Sequence, residues 1–251
     1  MKKLLLLLLC VPLIFSCGER EQRKSWLEQW GYKGKMKSAE YTTYYASIKL
    51  GEISKESVIL EPFESIDEWI LPYAKTQYNI YGDIKKRVWY ADQEKEIGGK
   101  RLYVYNNNEL NYIKEEGKKI KAINDPRGYL IKLDFSELGY VDGTSFTIND
   151  NGYITEISFG DQIQKHQYDI NGNWIQCDIY HSNTSELIRR TKLSYDQNKR
   201  EEALTYNSDG NLFQRHQYGK YDKENNFTEI IIFDSKNNPL FIIDYTRKYY
   251  E

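Results

Sequence analysis

From about residue 36 onward, apolar and aromatic residues alternate with polar ones in short runs, and Gly, Asn and Asp separate the runs. Period-two alternation bracketed by such residues predicts β-strands joined by tight turns. Ile175, Cys177 and Ile179 share one parity, as do Phe227, Glu229, Ile231 and Phe233. Segments of 13 residues recur with an aromatic at each end: Tyr78–Tyr90, Tyr168–Tyr180, Tyr206–Tyr218, Tyr221–Phe233 and Phe233–Tyr245. Looser copies run Phe146–Phe159 and Tyr195–Tyr206. The turn residues of these units are Gly82, Gly152, Gly172, Gly210, Asn225 and Asn237. Asn171-Gly172 and Asp209-Gly210 are preferred pairs for a two-residue hairpin loop, in which both central residues need φ > 0. Such a loop sets Tyr168 opposite Ile175 as a cross-strand pair; a longer loop shifts that register by one. The pattern predicts an all-β chain, an elongated twisted antiparallel sheet of repeated β-hairpins with a short N-terminal helix.

The start of the chain reads differently. Met1-Lys2-Lys3 is a basic n-region, and Leu4 to Phe15 is apolar with a single proline, Pro12. As a helix that run rises about 18 Å, too short for a hydrocarbon core of about 30 Å, so residues 1–16 read as a secretory signal peptide. Residues 17–35 are polar and charged, with Trp26, Leu27 and Trp30 at spacings that predict a short helix from about Glu21 to Trp30. Two exposed tryptophans would be costly, which favours a cap over the first sheet edge above a free tether. Met36 to Leu50 predicts a long strand, and Ser65 with Glu68 predicts a capped helical turn before Pro72. No Pro-rich or Gly/Ser-rich linker divides residues 36–251, which read as one β-repeat domain, clearest over 78–90 and 146–245.

The signal ends in Ile14-Phe15-Ser16-Cys17-Gly18. That ending resembles the lipobox of bacterial lipoproteins: aliphatic Ile14, small Ser16, then Cys17, the residue that is lipidated and becomes the mature N-terminus. Phe15 departs from the small residue usual before Ser16. The resemblance implies an exported protein held in the cell envelope by lipid on Cys17, in the outer membrane, with two or more acyl chains because one binds only marginally. Ordinary signal cleavage near Ser16 is the alternative. Tyr168-Asp169-Ile170-Asn171-Gly172-Asn173 resembles the YD-repeat (Rhs-type) family, with decayed copies at Asn207, Asn225-Asn226 and Asn237-Asn238. That resemblance implies hairpins joined into one continuous sheet and includes short envelope lipoproteins.

Composition narrows the chemistry. The 251 residues include 23 Tyr, 5 Trp and 9 Phe, which argues against simple disorder. Lys+Arg 35 against Asp+Glu 37 leaves a formal charge of -2, without the basic excess of a nucleic-acid binder. Three Cys exclude a disulfide scaffold. Cys10 leaves with the signal and Cys17 carries the lipid, so Cys177 is the one thiol left, and its alternating context predicts a small buried hydrophobe. His166-Gln167-Tyr168 echoes His216-Gln217-Tyr218, which marks the two histidines as equivalent repeat positions rather than metal ligands. No phosphate loop, nucleophile elbow or His-Glu-x-x-His motif occurs. The expected function is a non-catalytic, lipid-anchored envelope module that binds protein or structural polymer, without cofactor or metal. Carbohydrate binding through Tyr153, Trp174, Tyr180 and Phe227 is the alternative, and an envelope hydrolase the remote one.

Overall fold

The computed structural model describes residues 23–59, 63–64, 69–90, 97–138 and 143–251. Cys17, the signal peptide and the expected cap Ser65 lie outside the described residues. One four-residue helix, α1 (Trp26–Gln29), precedes the strands β1 (Met36–Lys49), β2 (Glu52–Val58), β3 (Phe63–Glu64), β4 (Trp69–Ile70), β5 (Tyr73–Tyr78), β6 (Ile84–Tyr90) and β7 (Ile97–Asn106). There follow β8 (Glu109–Glu115), β9 (Lys118–Asn124), β10 (Leu130–Asp134), β11 (Thr144–Ile148), β12 (Ile154–Phe159) and β13 (Gln162–Tyr168). The last six are β14 (Trp174–His181), β15 (Leu187–Asp196), β16 (Lys199–Asn207), β17 (Leu212–Tyr221), β18 (Phe227–Asp234) and β19 (Pro239–Tyr249).

From β5 to β19 each strand pairs antiparallel with the next. The first strand then closes the series. Met36–Tyr45 of β1 runs beside Tyr249–Phe241 of β19, while Ser38–Thr42 runs beside Gln77–Tyr73 of β5. The result is a closed barrel of sixteen strands, not the elongated open sheet expected from the repeats. Closure has a plain driving force, since an open sheet of this length would leave two unpaired edges. The far half of β1 pairs with β2 instead, Ser47 opposite Ser54. Where a helical turn was expected at Ser65–Leu71, Trp69–Ile70 is a short strand, and the capping box stands at Ser25 and Glu28.

The hairpin turns explain the repeat. Seven loops share one build, starting at Asn79, Asp125, Asn149, Asp169, Asn207, Asp222 and Asp234. In each, the first residue's N–H donates to the carbonyl four residues on, and its own carbonyl accepts from the residue three on. At Asp169 the carboxylate Oδ1 accepts from the Asn171 and Asn173 amides at 2.9 and 2.8 Å. One position, the fourth, has positive φ: +88° at Gly82, +80° at Gly152, +81° at Gly172, +80° at Gly210, +62° at Asn225 and +67° at Asn237. This is a type I turn followed by a left-handed residue, nucleated by an Asx side chain, rather than the expected two-residue loop. Tyr168 accordingly pairs with Trp174 across a bulge, not with Ile175.

Tyrosine has a second job at these turns. Between β6 and β7, β12 and β13, β14 and β15, β16 and β17, the ladder stops short of the mouth. There a phenol takes over. Tyr105 donates to Ile84 O at 2.7 Å, Tyr168 to Ile154 O at 2.9 Å, Tyr195 to Trp174 O at 2.8 Å, and Tyr221 to Arg200 O. Arg247 Nη1 fills the same role on Phe227 O. A Tyr-Asp pair such as Tyr168-Asp169 is therefore a latch to the neighbouring hairpin followed by an anchor of its own loop. Tyr168→Phe should destabilise by about 1–3 kcal/mol, since it leaves the Ile154 carbonyl unpaired; thermal unfolding of that variant checks this.

Side chains of one parity turn inward. Ile113, Ile120, Trp174, Cys177, Ala203, Ile230, Ile232 and Ile243 are all under a tenth exposed; from the N-terminal segment, Trp30 packs on the cluster of Trp174, Cys177 and Ala203, and Tyr32 on that of Ile230, Ile232 and Ile243. The outward parity carries charge. Glu156, Lys165, Asp178 and Arg190 stand side by side on β12 to β15. Burial works against the Asp178 carboxylate, but hydrogen bonds from Arg190 at 2.7 and 2.8 Å hold it below the usual range. Such a row is the opposite of the apolar band that a membrane-spanning barrel turns to lipid.

Candidate functional site

All odd-numbered strands from β5 to β19 end at the same mouth of the barrel, and the N-terminal segment 23–35 closes it. Arg23 pairs with Asp83 at 2.6 Å and donates to Asn108 O. Lys24 N–H donates to Tyr129 Oη at 3.1 Å, and Leu27 N–H to Gly82 O at 3.1 Å. Gln29 is buried and bonds the C-terminal end of the 149–153 turn, donating to Gly152 O and accepting from Ile154 N–H. Trp30 meets Trp174 and His166 edge-on, at 5.6 and 6.3 Å. Lys33 exchanges two hydrogen bonds with the Asn226 amide. The segment thus stretches from the 79–83 turn to the 222–226 turn and stoppers the mouth.

Sequence explains this path. The Ser25 hydroxyl accepts from Glu28 N–H while the Glu28 carboxylate accepts from Ser25 N–H, so the helix start is satisfied from both sides. Leu27 in that first turn, and Trp30 and Tyr32 just after it, pack onto the buried clusters of the barrel. Glycine is required where neighbouring hairpins meet: a Cβ on Gly172 would lie 1.9 Å from Tyr153 Oη, and on Gly152 2.1 Å from Tyr129 Oη.

Two concavities open at this mouth. The larger, about 1260 Å³, lies between the stopper and the 79–83, 107–109 and 127–128 turns, and is lined by Arg23, Tyr32, Asp83, Asn108, Glu109 and Arg127. The smaller, about 480 Å³, is lined by Lys24, Asn151, Tyr153, His166, Tyr168 and Asn171. His166 is buried, and neither ring nitrogen has a hydrogen-bond partner among the described residues. Burial pushes its pKa down to about 4. His216 Nε2 is 3.1 Å from Gln214 Oε1, and burial, then the Arg200 charge, push His216 down to about 3. Both imidazoles are neutral at pH 7. His181 stands exposed at the opposite mouth, so the three histidines do not converge.

The four candidate sugar-stacking aromatics do not share a face. Trp174 and Phe227 lie in the core, 4 % and 6 % exposed. Tyr180 is on the outer face, its hydroxyl on Asp178 and Lys165 Nζ 5.5 Å from its ring. Tyr153 lies at the mouth, with Tyr168 stacked at 4.7 Å and Lys24 Nζ at 4.4 Å from its ring. The six turn glycines and asparagines are divided as well: Gly82, Gly152, Gly172 and Asn225 at the stoppered mouth, Gly210 and Asn237 at the other. The sequence pattern predicts that this segment caps a sheet edge, whereas it packs across the barrel mouth; the Ser25-x-x-Glu28 box that starts its helix was an unused signal.

No family model matches the chain, and no curated protein does. Among solved structures it is similar to a LolA superfamily protein from Nitrosomonas europaea, at 12 % identity and TM-score 0.35, over 90 % of this chain and 92 % of that one. It is also similar to a porin-like protein from Bacteroides uniformis, at 9 % identity and TM-score 0.37, over 86 % and 99 %. A third is a putative outer membrane lipoprotein-sorting protein domain from Vibrio parahaemolyticus, at 10 % identity and TM-score 0.32, over 84 % and 86 %. At these values the likeness fixes neither ligand nor activity. The YD-repeat identification is corrected. No family model supports it, the chain closes into a barrel, and the repeat signal has a local source in the shared Asx-anchored loop and its tyrosine latch.

Proposed function

We propose that this chain is a non-catalytic binding module of the cell envelope, held by lipid on Cys17 with its stoppered mouth turned toward the membrane. The observation that supports this is the position of Arg23. It is fixed at that mouth by Asp83 and Asn108, and it stands only six positions after Cys17. A fully extended chain of that length spans about 20 Å. The polar concavity between Arg23, Asp83 and Arg127 then lies within reach of partners at the membrane surface. Its mixed charges and amides suit recognition of a protein or polymer, whereas the histidines that a hydrolase would use are buried or dispersed. The test is acyl labelling and fractionation of the full chain against Cys17→Ala, with a photo-crosslinking residue placed at Asn108. Lipid label and membrane residence lost in Cys17→Ala, with a reproducible crosslinked partner for the anchored form, are the expected results. Unlabelled protein, or an Asn108 site that crosslinks nothing, would overturn the proposal.

A further inference from the structure

The seven Asx-anchored loops are built alike, and the second residue of each is exposed. A type I turn accepts most residues there and favours proline, as at Pro126. The two loops of the opposite mouth carry Ser208 and Ser235 at that position, whereas two loops of the stoppered mouth carry Ile80 and Ile170. Ile170 is 100 % exposed and Ile80 54 %, and Tyr81 beside it is 50 % exposed. The turns need neither isoleucine. Asn79 and Asp169 anchor their loops through the Tyr81 and Asn171 amides at 3.0 and 2.9 Å. Each apolar tip is therefore left in water at a cost that the fold does not recover. The two tips stand eight strands apart in the ring of sixteen, so a flat surface that meets both has to face the mouth. The chain toward Cys17 departs from this same mouth, where Asp83 fixes Arg23, and residues 17–22 reach about 20 Å. By contrast, β1 carries the β1–β2 turn to the other mouth over 14 residues, about 46 Å of strand. Exposed charges at the stoppered mouth are of both signs, such as Lys33, Lys35 and Lys223 against Glu28, Asp150 and Asp196. Apolar contact rather than net charge is what this mouth offers a surface.

We propose that the stoppered mouth docks flat on the lipid bilayer that holds the anchor, with Ile80, Tyr81 and Ile170 immersed at the headgroup–acyl boundary. This rests on lipid attachment at Cys17. A lipid on one residue keeps the chain near the bilayer but leaves its orientation free, and apolar tips half a ring apart set it. Tyr81 suits the boundary because its ring is apolar and its hydroxyl polar. The test places a bimane fluorophore on single introduced cysteines of the full lipidated chain, in vesicles of phosphatidylethanolamine and phosphatidylglycerol with brominated acyl chains. Cys177 is buried, so Ile80→Cys, Ile170→Cys, Ser208→Cys and Leu50→Cys each supply the reactive thiol. Probes in place of Ile80 and Ile170 should shift to the blue and lose emission to the bromines, as side chains at the headgroup–acyl boundary do. Probes in place of Ser208 and Leu50 should do neither, although Leu50 is as exposed as Ile170. High salt, which screens exposed charges, should leave the contrast intact. Lipid on Cys17 is assayed in the same samples. A chain without lipid would overturn the anchoring and this docking with it. A lipidated chain whose mouth probes are unquenched, or quenched no more than the other two, would overturn the docking alone. A blue shift without quenching that grows with protein density would assign the tips to a second copy, and that too would overturn it.

Discussion

Leu27→Ala is expected to lower the unfolding free energy by about 2–5 kcal/mol, the range for a buried leucine cut to alanine. Leu27 is 3 % exposed and packs with Met36, Tyr78 and Ile84, which come from the start of β1 and the β5–β6 hairpin. Its N–H and carbonyl bond to Gly82 O and Tyr32 N–H, and alanine keeps both, so the loss reports packing alone. Denaturant unfolding followed by tryptophan emission measures it, and an unchanged m-value shows that the barrel still unfolds as one unit. Leu50→Ala, at a fully exposed leucine of the β1–β2 turn, is the control and should stay within about 0.5 kcal/mol. If Leu27→Ala matched that control, segment 23–35 would be an appendage rather than part of the cooperative core.

The second large effect is acid instability. His166 and His216 have folded pKa values of about 4 and about 3, against 6.5 for a free imidazole. Both are depressed, so the unfolded chain binds the additional protons. Stability is complete above pH 6.5 and is lost as pH falls toward 4. With two such groups the slope approaches about 2.7 kcal/mol per pH unit. Between pH 6.5 and 4.5 the loss is on the order of 3–5 kcal/mol, a large share of the 5–15 kcal/mol of a typical domain. The carboxylates held below their usual range, such as Asp169 and Asp178, act at lower pH and leave this window to the histidines. Unfolding curves at pH 7, 5.5 and 4.5 measure the slope, and His166→Gln should remove about half of it. A stability that stays flat from pH 6.5 to 4.5 would mean that these imidazoles are solvated.

What the sequence revealed follows the range of the forces involved. The turns were legible because their chemistry is local: Asp169 anchors its loop through Asn171 and Asn173, and Gly172 supplies the left-handed residue. Loop length was misjudged because Asn171-Gly172 fits a two-residue turn as well, and only the Asx anchor at Asp169 distinguishes the two. Closure left no local trace. The β1 pairing joins Tyr41 to Tyr245 on one side and Ala74 on the other, and strand alternation is the same in an open sheet as in a closed one. That Trp174 faces inward could not be read from alternation alone, because a bulge between Gln167 and Tyr168 shifts the register beside its turn. The stopper's amphipathic spacing was legible, but its seat was not, since the groups that receive Gln29 and Lys33 lie more than 120 residues away.

Closure of the sheet by β1 is the claim on which the rest depends, and amide hydrogen exchange on β5 and β19 tests it most directly. In a closed barrel both flanks of these strands are paired, so the amides of Ala74–Gln77 and of Phe241–Thr246 should all exchange slowly, near the rate set by global unfolding. If alternate amides along either strand exchanged at the rate of free peptide, that strand would be an open edge and the sixteen-strand ring would not exist.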